Sequence, residues 1–342
     1  MKKAFFIITL LCTTLMFSCK TNNGYKIYNG LAQGTTYRII AQNAPADIEQ
    51  KIAGVFQRAD SLFSIFNPNS VISRINRNEN RLINSDIVTC LNIAGDVHNL
   101  SGGMYDITVK PIVDAWGFGS GRKNPSPEYI DSLMQFVGFG LLDYEALPGV
   151  LKKQRSGVQI DLSSIAKGYT VDMMSYMLRS NGVENFLVEI GGEIYCRGVN
   201  SKGREWIVGI DMPINGNEML NGRGVDKLQA ILSLSGKAVA TSGNYRNFYV
   251  DENGNKIVHT INPKTGQPVN SNVLSVTVIS GTCAYADAFA TALMASGGLD
   301  ELKSMVARMN TNLAYYVIYS DKDGSFKTYC TPSFERYITE MR

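Results

Sequence analysis

Two residues in an apolar helical stretch, 283–297, have side chains that could hold a cation. Asp287 and Thr291 are four residues apart, so both lie on one face of the predicted helix, among Ala and Leu residues. A carboxylate buried in an apolar helix costs free energy unless it is paired or bound to a metal. Carboxylate and hydroxyl oxygens suit Mg²⁺, which keeps water or substrate phosphate in its other positions. The pattern predicts a magnesium site, with a buried ion pair to a distant lysine as the alternative.

A second polar segment, DLSSIAKGYTVD at 161–172, joins an apolar strand to a helical pattern. Helix starts expose unpaired N–H groups that favour phosphate, and Lys167 would add a positive charge. The segment therefore indicates an anion-binding corner that contains Asp161 and Ser164. The alternative is local structure, with serine as the helix N-cap and an ion pair between Asp161 and Lys167.

Two further segments interrupt apolar sequence with glycine and polar residues. EIGGEI at 189–194 predicts a bulge or a close backbone approach at its paired glycines, with a tight bend as the alternative. Thr241, Ser242 and Gly243 can offer hydroxyl and N–H groups, and the turn-rich segment 259–269 follows in the sequence. His259 could act as an acid or base, or could be a structural histidine.

Hydrophobic periodicity predicts the elements that must position these residues. Helices are expected over 47–66, 83–103, 125–138, 166–182 and 283–297, with a turn and a short helix over 67–76. Extended segments are expected over 35–42, 105–119, 157–164, 185–199, 204–213, 228–243 and 273–281, with hairpins over 246–262 and 313–331. The helix of 83–103 should begin at Ser85 or Asp86, and the first hairpin should turn at Asn253-Gly254. Helices and strands do not alternate strictly, so the fold class is α+β.

Composition excludes several classes of function. The 342 residues carry a net charge of +3, without the dense basic stripe of a nucleic-acid-binding protein. The chain has only two histidines, which excludes a multi-histidine metal site. The cysteines are widely spaced and contain no CxxC pair, so those of the body are expected to be mostly buried small hydrophobes.

The first residues have the pattern of an export signal. Two lysines precede an apolar run from Ala4 to Phe17, which is too short for a comfortable membrane span. Ser18-Cys19 then resembles a bacterial lipobox, although Met16-Phe17 depart from the usual residues. We predict a lipoprotein signal over 1–18, a lipidated Cys19, a polar tether over 19–29 and one folded domain over 30–342. An ordinary signal peptide or N-terminal anchor is the alternative.

Taken together and in order, the motifs resemble those of the ApbE family of FAD:protein FMN transferases. The similarity runs from about Gly34 to the C-terminus. The segments that carry it are GTTY (34–37), SIFNPNSVISRIN (64–76), GGMYDITVKPIVDAWGFG (102–119), DLSSIAKGYTVD (161–172), LVEIGGEI (187–194), AVATSGNYRNFY (238–249), HTINPKTGQPV (259–269) and VTVISGTCAYADAFATALMASG (276–297).

The resemblance implies an α+β, T-fold-related body in which mixed sheets pack with helices, with the site between two lobes. It also implies Mg²⁺-dependent transfer of FMN from FAD to a threonine or serine of a target protein, with release of AMP. Such a transfer needs groups that clamp the diphosphate, a metal that neutralises developing charge and a proton acceptor. His259 and Asp287 are the candidates for the proton acceptor.

The resemblance assigns roles to individual residues of this chain. Asp287 and Thr291 would ligate Mg²⁺, with the Ser164 region completing the site. FAD would contact Gln33, Phe66, Trp116, Gly117, Phe118, Asp161, Lys167, Thr241, Ser242, Gly243, His259 and Ile261. Two positions depart from the family: Gln33 stands where methionine is usual, and Phe66 stands where many members have tyrosine. Both departures concern the pose of FAD and not the metal.

The sequence does not identify the acceptor protein. The resemblance suggests subunits of membrane-bound Na⁺-translocating NADH:quinone oxidoreductase or related electron-transfer complexes. The enzyme would then be exported and lipid-anchored on the periplasmic side of the envelope, with the inner membrane favoured over the outer. The rival functions are an FAD pyrophosphatase that yields FMN and AMP, a flavin-binding lipoprotein without turnover, and an envelope scaffold.

Overall fold

Strands make up most of the second half of the chain. The computed structural model describes residues 24–119, 124–146, 149–213, 228–244, 248–252, 254 and 256–341. Its strands are β1 (Tyr25–Ala32), β2 (Thr35–Gln42), β3 (Leu142–Glu145), β4 (Val150–Lys153), β5 (Phe186–Ile190), β6 (Glu193–Arg197), β7 (Trp206–Asp211), β8 (Leu228–Leu234), β9 (Lys237–Gly243), β10 (Phe248–Val250), β11 (Lys256–Val258), β12 (Val273–Ser280), β13 (Ala314–Ser320), β14 (Phe326–Cys330) and β15 (Ile338–Met341).

The helices lie mainly in the first half and near the C-terminus. They are α1 (Ile48–Phe63), α2 (Val71–Asn76), α3 (Ser85–Leu100), α4 (Lys110–Ala115), α5 (Pro127–Met134), α6 (Ala166–Ser180), α7 (Cys283–Ala295), α8 (Leu299–Met309) and α9 (Pro332–Glu335). A single 3₁₀ turn covers Phe139–Leu141.

The central sheet has eight strands in the order β1-β2-β5-β6-β9-β12-β13-β14. A second sheet has the order β15-β8-β7, and β3–β4 and β10–β11 are separate hairpins. Neighbouring strands are antiparallel throughout the described part of the chain. The mixture of antiparallel sheets and helices confirms the predicted α+β class.

The central sheet is covered on both faces, which explains the nearly continuous apolar sequence of its strands. In β13, Tyr315 and Val317 face the helices, whereas Tyr316 and Ile318 face the three-stranded sheet. Trp206, Val208 and Ile210 of β7 form the apolar face of that smaller sheet. Because side chains alternate along a strand, such a strand contributes residues to two separate cores.

Helix α7 is the central helix of the larger core. Eleven of its thirteen residues are buried, because α7 packs on β9 and β12 between α3 and α6. Alanines at most of these positions allow the close approach. Both carboxylate oxygens of Asp172, in α6, accept hydrogen bonds at the start of α7, from the N–H groups of Cys283 and Ala284. This contact fixes the beginning of α7 against α6.

Several sequence predictions of secondary structure were wrong in part. The stretch 105–119 was expected to be extended but contains α4, which begins with proline at its second position, where a missing N–H costs little. The stretch 228–243 is two strands, β8 and β9. Helix α3 begins at Ser85, as predicted, but its cap is Asn84, whose side chain accepts from the Ile87 N–H. Helix α8 was not predicted.

The N-terminal boundary also differs from the prediction. Strand β1 begins at Tyr25, so the folded body starts inside the predicted tether of 19–29. Pairing along the whole of β2 orders this polar Gly/Asn-containing segment, which composition alone assigned to a linker. The predicted signal over 1–18, Cys19 and the turn residue Asn253 lie outside the described residues.

The cysteines of the body agree with the expectation. Cys90, Cys196 and Cys283 are buried, Cys330 is half-buried, and all four are free thiols. Among the helices of the described ranges, none combines the length and hydrophobicity that a bilayer crossing requires.

The contact between α6 and α7 generates a prediction about Gly168. A Cβ atom at this position would lie 2.5 Å from the Cys283 carbonyl oxygen and 2.9 Å from the Asp287 Cβ. We expect Gly168→Ala to push α6 from α7 and to lower the free energy of unfolding by about 1–3 kcal/mol.

The matched control is Gly54→Ala in α1, where no atom lies within 4 Å of the added Cβ. It should stabilise the protein by up to about 1 kcal/mol, because alanine is the better helix former. Urea denaturation of both variants measures the difference. Equal stability of the two variants would contradict the packing argument.

Candidate active site

A cavity of about 640 Å³ opens where the ends of both sheets meet α7. Its walls come from the segments after α1 and before α4, the corner before α6, the β5–β6 turn, the ends of β7 and β9, the segment after β11, and α7. The polar and aromatic lining residues include Phe66, Tyr105, Asp106, Phe118, Asp161, Ser164, Lys167, Glu189, Glu193, Asp211, Thr241, Ser242, His259, Asp287 and Thr291.

Asp287 lies at the floor of this cavity and is only 6% exposed. Its Oδ2 accepts the Gly168 N–H at 3.1 Å, and no hydrogen bond in the described part of the chain uses Oδ1. Burial raises the pKa of the carboxyl to about 7, although the nearby Lys167 charge lowers this pKa and the Glu193 charge raises it. The site thus holds a carboxylate with one oxygen left for a ligand.

Lys167 connects Asp287 to a second buried carboxylate. Its Nζ lies 2.7 Å from Glu193 Oε1 and 3.9 Å from Asp287 Oδ2. Burial lowers the pKa of this ammonium, but the two carboxylates outweigh burial and raise it overall. Glu193 is 3% exposed, and its Oε2 is buried without a hydrogen-bond partner. One ammonium therefore faces two carboxylates.

Ser164 is oriented by a buried phenol. Its Oγ donates to the Tyr105 hydroxyl oxygen at 3.0 Å, and Tyr105 is 2% exposed. Burial raises the pKa of Tyr105 well above its ordinary value, so the phenol stays neutral. The next residue, Asp106, accepts from the Thr108 N–H and hydroxyl and from the Phe139 N–H. These bonds fix the segment that carries Tyr105.

The opposite wall is formed by the end of β9 and by the segment after β11. The Oγ1 atoms of Thr241 and Thr277 are 2.9 Å apart, which ties the end of β9 to β12. The ring of His259 is edge-on to Phe118, with ring centroids 6.2 Å apart. Ile261, buried at 6% exposure, adds an apolar contact to the lining. This wall offers flat apolar and hydroxyl surface.

The structure brings most of the residues singled out from sequence into one cavity. The lining includes Phe66, Phe118, Asp161, Ser164, Lys167, Thr241, Ser242, Gly243, His259, Ile261, Asp287 and Thr291. Gln33, Trp116 and Gly117 are not lining residues. Gln33 instead donates to the Thr170 hydroxyl at 2.9 Å, and the Trp116 indole donates to the Gly266 carbonyl at 2.8 Å.

The ion pair and the serine cap suggested for the 161–172 corner are both absent from the described structure. Lys167 pairs with Glu193 and not with Asp161, whose Oδ1 accepts the Ser163 N–H. Helix α6 begins at Ala166 after Ile165, without a side-chain cap, so the serine cap was wrong. The distant lysine suggested as a partner of Asp287 is Lys167, at a separation of 3.9 Å.

Sequence reasoning missed Tyr105, Asp106, Glu189, Glu193 and Asp211. Glu193 carried a usable signal, because a carboxylate directly after the paired glycines begins a strand whose interior is largely apolar. Asp211 carried none, since it occupies an outward position in the ordinary alternation of β7. Only the fold brings that position to the cavity.

The donor set fits a hard divalent cation. In the described ranges, no group of three or more His, Cys, Asp or Glu side chains could hold a metal ion. A cation would therefore rely on Asp287 Oδ1, the hydroxyls of Thr291 and Ser164, main-chain oxygens, water and substrate. Oxygen donors with one carboxylate are the pattern that Mg²⁺ accepts.

A second cavity, of about 650 Å³, lies on the opposite face of α7, beside Tyr285 and Phe289. None of the site residues predicted from sequence lines it. Of these two cavities, the first is the one that the predicted site residues line.

Comparison with known proteins identifies the family of the chain. The family model of the ApbE family matches residues 33–317. The chain belongs to the ApbE family.

The relatives match over almost their whole length. The FAD:protein FMN transferase of Vibrio cholerae is 32% identical over 98% of this chain and 99% of its own. That of Escherichia coli K12 is 30% identical over 92% of this chain and 90% of its own. The solved flavin transferase ApbE from Vibrio cholerae superposes with a TM-score of 0.78 at 31% identity, covering 92% of this chain and 99% of that one.

A structure from Thermotoga maritima superposes with a TM-score of 0.79 at 26% identity, covering 92% of this chain and 100% of that chain. The predicted family resemblance is confirmed, and the chain is an enzyme of the transferase class.

The raised pKa of Asp287 predicts how stability depends on pH. The folded pKa of about 7 lies above the ordinary value of 3.8, so the folded state holds the proton more tightly than the unfolded state. Stability that is present below the unfolded pKa is then lost as pH rises through the folded pKa. We expect the wild-type Tm, in EDTA, to fall relative to that of Asp287→Asn between pH 5 and pH 8.

Thermal unfolding of both proteins across this pH range measures the effect, and the comparison removes contributions from other groups. A difference between the two Tm values that stays constant across the range would contradict the assignment.

Proposed function

We propose that this protein transfers FMN from FAD to a threonine or serine hydroxyl of a target protein and releases AMP. The observation that carries the proposal is the convergence of Asp287, Thr291, Ser164 and Lys167 on one cavity. Ser164 and Lys167 lie more than 100 positions before Asp287 and Thr291 in the sequence, and the fold brings the two pairs to one cavity. The relatives named FAD:protein FMN transferases support the choice of substrate.

We further propose that Mg²⁺ is held by Asp287 Oδ1 with Thr291 and the Ser164 region. When bound, the cation would neutralise charge that develops on the diphosphate. The ammonium of Lys167 adds a positive charge from the protein, close to Asp287 in the same cavity. The apolar rings of Phe118 and the 81% exposed Phe66 offer flat surface for the flavin or adenine.

In the transfer step, the acceptor hydroxyl oxygen forms a bond to the phosphorus of the FMN half. The bond from that phosphorus to the bridging oxygen breaks, and AMP leaves with the oxygen. His259 takes the hydroxyl proton, because one oxygen of Asp287 accepts the Gly168 N–H and the other would hold the cation. An imidazole titrates near neutral pH and so suits this role.

The test combines purified protein, FAD, Mg²⁺ and a threonine-bearing acceptor protein. We expect covalent flavin fluorescence on the acceptor, a mass increase equal to FMN on threonine, and equimolar AMP. Asp287→Asn should reduce AMP release by at least 100-fold, and His259→Gln by about 10²–10⁴-fold, the usual value of a general base. EDTA should have the effect of Asp287→Asn.

Each rival function predicts a different outcome. Free FMN and AMP without labelled acceptor would indicate a pyrophosphatase. FAD binding that survives Asp287→Asn, together with no AMP from the wild type, would indicate a flavin carrier. Trp116→Phe is the matched control, because its indole lies outside the cavity lining and should not affect AMP release by more than about twofold.

We also propose that the protein is exported and anchored by lipid on Cys19, on the periplasmic side of the inner membrane. The support is the apolar segment that ends at Ser18-Cys19. The corresponding acceptors are subunits of Na⁺-translocating NADH:quinone oxidoreductase or related membrane electron-transfer complexes.

Lipidation is checked by feeding cells labelled palmitate. We expect label on the wild-type protein and on Cys330→Ser, and none on Cys19→Ser, because acylation needs the thiol next to the cleavage site. Label that persists on Cys19→Ser would exclude this anchor.

A further inference from the structure

Two carboxylates compete for the Lys167 ammonium. Glu193 Oε1 lies 2.7 Å from Nζ, at hydrogen-bond distance, whereas Asp287 Oδ2 is 3.9 Å away. Asp287 is the carboxylate proposed to hold the cation. If Lys167 moved closer to Asp287, its ammonium would weaken the binding of the cation, because an ammonium and a divalent ion compete for one carboxylate.

The position of Glu193 is set by the backbone. It follows the tight turn at Gly191-Gly192, where both residues have positive φ, and it begins β6. The β6 pairing of Glu193 with Ile190 fixes its Cα. At 3% exposure the side chain has little room to move. Glu193 is therefore a fixed partner, whereas Lys167 has a long flexible stem.

The second oxygen of Glu193 adds no hydrogen bond that would stabilise the fold. Oε2 is buried without a hydrogen-bond partner, and such an atom costs free energy. Asp287 accepts one hydrogen bond in the described part of the chain, from the Gly168 N–H. The ammonium is therefore at hydrogen-bond distance from Glu193, whereas its ion pair with Asp287 is longer.

We infer that Glu193 is a positioning residue, which keeps Lys167 closer to itself than to Asp287 and so keeps the Asp287 carboxylate available to a divalent cation. The inference rests on the proposed cation site. It assigns to Glu193 an action through Lys167 and no direct contact with the cation.

The experiment measures the Mn²⁺ affinity of the full-length protein, without FAD, by electron paramagnetic resonance. Mn²⁺ serves as the probe because it accepts oxygen ligands as Mg²⁺ does. Glu193→Gln keeps the shape of the side chain and weakens the hold on Lys167. We expect the dissociation constant for Mn²⁺ to rise about 10–100-fold, the usual cost of losing an outer partner of a metal ligand.

A double-mutant cycle separates positioning from simple charge. In a Lys167→Met background no ammonium can move to Asp287, so adding Glu193→Gln should change the affinity by no more than about twofold. The matched control is Glu189→Gln, which removes one negative charge from the same wall of the cavity. Its effect in the wild-type background should be much smaller than that of Glu193→Gln.

The possible outcomes decide separately on each proposal. An equal loss of affinity in both backgrounds would show that Glu193 acts directly on the cation, and it would overturn the inference. An unchanged affinity in Glu193→Gln would overturn it too. Wild-type Mn²⁺ binding that is absent, or unaffected by Asp287→Asn, would overturn the cation site itself. Matching Tm values of the variants exclude loss of folding as the cause.

Discussion

The close contact between helices α6 and α7 is the constraint on which the rest of the site depends. Gly168 leaves no space for a side chain between its backbone and the Cys283 carbonyl, and its N–H binds the Asp287 carboxylate. The neighbouring Lys167 is thereby brought to Asp287 across 120 positions of sequence. Asp172 holds the same two helices together four residues later along α6. A site built from two helices fixed in this way keeps its charged groups in a rigid geometry.

This rigidity has an electrostatic cost, which follows from burial. Asp287, Glu193 and Lys167 together carry two negative charges and one positive charge in a poorly hydrated place. Burying charge without full compensation disfavours the folded state. The raised pKa of Asp287 expresses that cost, and binding of a cation would relieve it. Function and stability are thus opposed at this position, as is common at binding sites.

Much of the fold could be predicted from sequence, because its signals are local. The apolar spacing of α1 and α7 and the glycines after α3 marked these helices to within a few residues. Strand β1 and helix α4 could not be predicted in the same way. Strand β1 depends on pairing with β2, and helix α4 depends on packing against α5. Both are cases in which tertiary contacts override weak local preference.

The site was predicted best where a polar residue interrupts an apolar pattern, as at Asp287. It was predicted worst where the partner is decided by the fold, as with Glu193 and Lys167. The cysteines give a different lesson. Cys90, Cys196, Cys283 and Cys330 are free thiols, so none of these four residues cross-links the described part of the fold. A reducing environment would therefore leave the packing around these four thiols unchanged.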